Sequence, residues 1–192
     1  MQNLGFYFDL GWDHIINRQA LDHLLFVLAL SAVYLIADWK KVLILITAFT
    51  FGHSLTLILS IFDIIRINSN LVEFLIPCTI IFTAAFNLWQ KEFGSKTLQR
   101  NYFFAFFFGL IHGLGFANAI RFMMQKNDSI GMNLLGFNLG LEAGQVVVVA
   151  GILVLSFIAI NKAGLKQRWW VSILSLAALI IALKMAWERF PL

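Results

Sequence analysis

Five short polar breaks cut this sequence into six apolar stretches, each long enough to cross about 30 Å of hydrocarbon at ~1.5 Å per residue. The breaks are Asp38-Trp39-Lys40-Lys41, Arg66 to Asn70, Lys91 to Arg100, Gln125 to Gly131, and Asn161 to Arg168. They predict helices near 20–38, 41–65, 70–90, 101–124, 132–160 and 169–189, preceded by an interfacial N-terminal segment over 1–19. The expected fold class is an all-α membrane protein: a polytopic bundle of about six transmembrane helices forming a single integral membrane domain over 1–192. Composition closes the soluble alternative. The chain is 60% hydrophobic and only 12% charged, where a soluble domain carries roughly a quarter charged residues, so folding in water would leave large apolar surfaces exposed.

The formal charge of +4 is spread over short connections, so it bears on membrane orientation and gives no reason to invoke nucleic acid. The only cysteine, Cys78, excludes a disulfide framework and a cysteine-based metal cluster within the chain. The first 19 residues lack a basic start followed by an apolar core, so they do not read as a cleavable signal peptide. The odd-numbered connections hold Lys40, Lys41, Lys91, Lys96, Arg100, Lys162, Lys166 and Arg168, against Arg18, Arg66, Arg121, Lys126, Lys184 and Arg189 on the other side. The excess predicts that both termini lie outside, with Trp39, Trp89, Trp169 and Trp170 in the cytoplasmic aromatic belt.

All four histidines, His14, His23, His53 and His112, fall in or beside apolar segments, as do Asp22 and Glu142. In hydrocarbon an isolated charge costs several kcal/mol, so such groups survive by pairing, protonating, facing water or binding a cation. Counted from the Lys-rich ends of their helices, His23, His53 and His112 lie at a common depth of roughly 18–23 Å, and Glu142 at roughly 30 Å. Helical phase turns them inward. His112 shares a strip of small residues with Ala105, Gly109, Gly115 and Ala119, and Gly113 follows it directly; Asn138, Glu142 and Gln145 make a polar stripe. Gly136, Gly140 and Gly144 form a ridge for close helix packing on another side. Thr50, Ser54, Asn138, Gln145 and Asp13 are the expected supporting groups around the ligands, and Thr79, Thr83 and Asn87 repeat every fourth residue on a third helix. Asp63 and Glu73 read as a solvated rim.

The segments GWDHIINRQALDHLLFVLAL, ITAFTFGHSLTLILS, FFFGLIHGLGFA and GFNLGLEAGQ, in that order, resemble the HupE/UreJ family of hydrogenase/urease accessory membrane proteins. The resemblance covers most of the chain. It implies a multi-pass protein of the bacterial inner membrane, associated with nickel or cobalt movement, whose functional residues map onto His14, Asp22, His23, His53, His112 and Glu142. The implied ligand is a divalent transition-metal ion, nickel, cobalt or zinc; the implied surroundings are membrane lipid, with a homo-oligomer or metalloenzyme-maturation partners left open.

Residue chemistry agrees with that class. Neutral imidazole suits nickel, cobalt, copper or zinc, and binding through it weakens in acid. A permease in which Asp13, His14, Asp22 and His23 collect the cation and His53, His112 and Glu142 hold it further in is the leading expectation. An enzyme is the lesser one: an intramembrane zinc-dependent hydrolase could use the same histidines around an activated water. A structural or assembly subunit, its polar residues only joining helices, is the third.

Overall fold

Close backbone contact, made possible by glycine, decides which helices pair in the computed structural model, which describes residues 2–17, 20–90, 93, 95–123 and 130–191. These residues form seven α-helices and no strand: α1 (Gln2–Ile16), α2 (Leu21–Ser31), α3 (Trp39–Ile61), α4 (Ser69–Trp89), α5 (Ser95–Met123), α6 (Ile130–Phe157) and α7 (Gln167–Glu188). A 3-10 turn (Ile36–Asp38) leads into α3, and a π turn (Ile158–Lys162) closes α6.

Two helix pairs interlock through small residues. Along α6, Gly136, Gly140 and Gly144 face Leu4, Phe8 and Ile15 of α1 in turn, so the two helices run parallel. A Cβ at Gly140 would overlap the Phe8 carbonyl oxygen, and one at Gly11 of α1 would overlap the Phe137 carbonyl oxygen. Likewise α3 and α5 run parallel. A Cβ at Gly52 would overlap the Phe106 carbonyl oxygen, and one at Gly109 that of Phe49. Without a hydrophobic driving force between helices in lipid, this approach of backbones supplies the dispersion contact that holds them.

Polar bonds fasten α4 to its neighbours. Buried Asn87 donates to the Ala29 carbonyl of α2 at 2.7 Å and to Ser175 Oγ of α7 at 3.2 Å. At the C-terminal end of α4, the Arg168 guanidinium donates to the carbonyl oxygens of Asn87, Leu88 and Gln90, groups that would otherwise lack intrahelical partners. The outward faces stay apolar, as with Phe51, Phe103 and Ile180.

By length and composition, four helical stretches among the described residues can cross a membrane: Ile36–Ile61, Ser69–Trp89, Ile130–Lys162 and Gln167–Glu188. Two expectations change. The stretch expected as one helix over 20–38 is helical only to Ser31, whose hydroxyl turns back to the Val27 carbonyl at 2.6 Å; the chain then turns, and the Val33 carbonyl is taken by Gln167 Nε2 at 2.9 Å. At 11 residues, α2 is too short to cross hydrocarbon by itself. Residues 2–16, expected within an interfacial segment or short helix, form a longer, 15-residue helix docked along α6. Arg18, Lys91, Lys126 and most of the Gln125–Gly131 break lie outside the described residues.

Candidate metal centre

The break between α1 and α2 sets two histidines against the interlocked α3–α5 pair. His14 is in the last turn of α1 and His23 in the first turn of α2, their ring centroids 4.4 Å apart. His53 comes from the middle of α3, beside Gly52 and against Gly109 and Gly113 of α5; His112 comes from α5 and packs on His23 at 4.9 Å between centroids. One nitrogen from each of His14, His23 and His53 lies within 4.8 Å of the other two. His14 and His23 are therefore part of one cluster with His53, where the sequence suggested an outer and an inner station.

Hydrogen bonding identifies which nitrogen is free in two of the rings. His23 Nδ1 lies 3.0 Å from Asp22 Oδ1; an ionised carboxylate can only accept, so Nδ1 carries the proton and Nε2 keeps its lone pair. Thr79 sends its hydroxyl proton to the Ile76 carbonyl at 2.7 Å, so its oxygen accepts from His112 Nε2 at 3.0 Å, which leaves Nδ1 of His112 with the lone pair. Those two free nitrogens, together with His14 Nε2 and both nitrogens of His53, are buried without a hydrogen-bond partner. An orphaned buried polar atom costs about 1–3 kcal/mol, and the cluster holds several.

The surroundings are apolar. Phe116 packs against His14 at 4.2 Å between centroids with the rings tilted by 47°, while Phe49 and Phe137 flank His53. Three nitrogens bound to one ion at about 2.0–2.1 Å stand about 3.3–3.6 Å from one another in tetrahedral or trigonal geometry, so these rings need to close by roughly 1.2–1.5 Å to share a cation. An open pocket of about 320 Å³ reaches the cluster, its walls carrying His14, His23 and His112 and its mouth Asp13, Glu73 and Arg189. Completely buried His53 stands behind that pocket wall.

The other expected residues divide between this cluster and a seam further along α3. Asp22 is beside the cluster, but both its oxygens are engaged, Oδ1 by His23 and Oδ2 by Arg189 at 3.2 Å, so it orients an imidazole. Asp13 is exposed at the pocket. Glu142 is apart from the three-histidine group, and on the other side of it from the one expected. Residue counting puts it farther from the Lys-rich ends than the histidines, but its Oε1 accepts from Thr47 Oγ1 at 2.5 Å, nearer the Lys40 end of α3 than His53, because α6 passes α3 at a different height from the one that its own Lys-rich end implies. Gln145, completely buried, accepts from Thr50 Oγ1 at 3.0 Å through Oε1 and leaves Nε2 unpartnered. Ser54 donates to the Thr50 carbonyl at 2.6 Å, and Asn138 keeps a buried oxygen without a partner. Sequence reading placed Glu73 on a solvated rim and Arg189 among the loop charges; the structure brings both to the pocket. No local signal pairs Arg189 with Asp22, 167 positions earlier.

Comparison with protein families matches a model described as HupE / UreJ protein over residues 1–189. Comparison with curated proteins and with solved structures gave no significant match.

Proposed function

The chain belongs to the HupE/UreJ family, and on that premise we propose that it is a permease for a divalent transition-metal ion of the nickel/cobalt type, with the cation as its cargo. The observation that carries the reading is the convergence of unpartnered, buried imidazole nitrogens from His14, His23 and His53, with His112 adjoining. Rings held only to join helices would satisfy each other or a neighbouring carbonyl. Here the hydrogen-bonded nitrogens face Asp22 and Thr79, and the lone pairs are left over, as ligating histidines require. His14, His23 and His53 would hold the ion, His112 would receive it from the pocket, and Asp22 would fix the His23 ring. Absence of a thiolate in this group favours nickel, cobalt or zinc over copper(I).

Beyond His53, the polar groups continue along α3 toward its Lys40 end. Thr50 with Gln145 comes one turn on, and Thr47 with Glu142 a further turn on, about 9 Å of rise from His53. These groups would carry the ion away from the pocket side, and Glu142 would neutralise it in passage. The protein would sit in the bacterial inner membrane with both termini outside, the pocket mouth facing outward.

The test is metal content of the purified protein together with uptake of nickel, cobalt and zinc into proteoliposomes. Wild type should retain metal and transport at least one of the three. Glu142→Gln, which keeps size and hydrogen bonding, should bind metal within about threefold of wild type yet take it up about tenfold more slowly, an effect of the size that lost outer-shell partners produce. Metal binding without uptake in wild type would favour a fixed site, as in a zinc hydrolase; normal uptake by folded Glu142→Gln would remove Glu142 from the path.

A further inference from the structure

A fixed cation stands in the mouth of a pocket otherwise suited to attract cations. Arg189 follows directly on the last turn of α7, and its Nη1 lies 3.2 Å from Asp22 Oδ2 and 3.1 Å from Glu73 Oε2. It also approaches the Glu73 carbonyl oxygen at 3.5 Å. That carbonyl is free because residue 77, four positions on, is Pro77 and has no N–H to give it. One guanidinium group thus occupies three oxygens contributed by α2 and α4, on the wall of the pocket that leads to His23 and His112.

We propose that Arg189 is an internal competitor for the incoming metal ion, a gate that holds the mouth carboxylates until a divalent cation displaces it. This rests on the permease reading and adds a specificity-determining residue to it. Asp22 is the hinge of the argument, since one oxygen steadies the His23 ring and the other is held by Arg189. A divalent ion passing Asp22 and Glu73 meets oxygens already bonded to a cation that offsets half of their charge, so weakly bound cations such as magnesium gain less there. An ion that also finds the imidazole nitrogens behind gains enough to push the guanidinium aside. Displacement is feasible because Arg189 ends a helix and its side chain keeps 28% of its exposure. By reciprocity, whatever Arg189 subtracts from metal affinity, bound metal subtracts from the hold on the end of α7.

Titration of the full-length protein in detergent with nickel(II), cobalt(II) and zinc(II) alone, and with magnesium as competitor, tests this. Arg189→Gln should tighten binding of the preferred ion about tenfold, within the range usual for coupled sites, and should let magnesium compete where it does not in wild type. In wild type, metal addition should speed hydrogen exchange over residues 185–191, a readout that needs no variant to fold. Unchanged or weaker binding by folded Arg189→Gln would overturn the gate and make Arg189 a clamp for Asp22, as would unchanged exchange over 185–191 in metal-bound wild type. A wild-type protein that binds none of the three ions would overturn the permease reading and the gate with it.

Discussion

His53→Leu should abolish high-affinity metal binding without destabilising the fold. The expected affinity loss is at least about a hundredfold, the upper edge of what even indirect partners of a ligand cost when removed. The stability half of the expectation is the more diagnostic. His53 is completely buried, both its ring nitrogens lack partners, and Phe49 and Phe137 lie against it. Leucine is close in volume, carries no polar group and suits apolar neighbours, so the exchange relieves an unmet hydrogen-bonding demand of about 1–3 kcal/mol while disturbing packing little. Thermal unfolding in detergent should therefore occur at the wild-type temperature or above it, while titration with nickel, cobalt or zinc shows no tight site. A residue kept for structure behaves in the opposite way, and a His53→Leu protein that unfolds earlier but still binds metal would refute the assignment.

Gly140→Leu should prevent recovery of a folded protein. A Cβ there would overlap the Phe8 carbonyl oxygen and stand 2.8 Å from the Phe8 carbonyl carbon and 2.9 Å from Trp12 N. All three are backbone atoms, so no rotamer change can relieve the contact; α1 must leave α6 and take His14 with it. Overpacking against movable side chains costs about 1–3 kcal/mol, and a clash between backbones exceeds that. The same helix provides its own control, because nothing lies within 4 Å of a Cβ at Gly151. Gly151→Leu should be purified as a monodisperse species with wild-type stability. Equal behaviour of the two variants in size-exclusion chromatography and thermal unfolding would mean that α1 does not dock as described.

Where polar residues punctuate the chain, the sequence is a good guide. The helix expected over 70–90 is Ser69–Trp89, and that over 169–189 is Gln167–Glu188. Where apolar residues run on through a turn, hydropathy is silent. Residues 32–37 contain no Gly, Pro or charge, yet α2 has already ended, because its release depends on Gln167 binding the Val33 carbonyl from the far end of the chain. The end of α3 at Ile61 is hidden in the same manner: Ile64 and Ile65 look helical, while Asp63 takes a left-handed φ of 62° and the chain turns. α1 was the hardest element to foresee, since Gly5, Gly11, Asp9 and Asp13 weaken its pattern and its docking face is supplied by glycines some 130 residues away. Counting residues from helix ends was enough to bring His23, His53 and His112 to one layer. It could not show that Glu142 bonds Thr47 or that Arg189 reaches Asp22, because these are contacts between side chains on helices remote in sequence.

The locked α3–α5 and α1–α6 pairs and the short α2 divide the cluster into a fixed jaw and a sliding one, like a caliper. His53 and His112 are borne by two long helices whose backbones touch, and His14 by α1, whose backbone touches that of α6 at Gly11 and Gly140, whereas His23 stands on α2, beyond the α1–α2 break. Ions that prefer different arrangements of the same imidazoles, square-planar for nickel and tetrahedral for zinc, would have to be fitted by moving the His23 side alone. Discrimination among metals of similar charge would then depend on how far α2 can shift against its neighbours, and changing its packing would alter which metal is accepted before it altered whether one is bound.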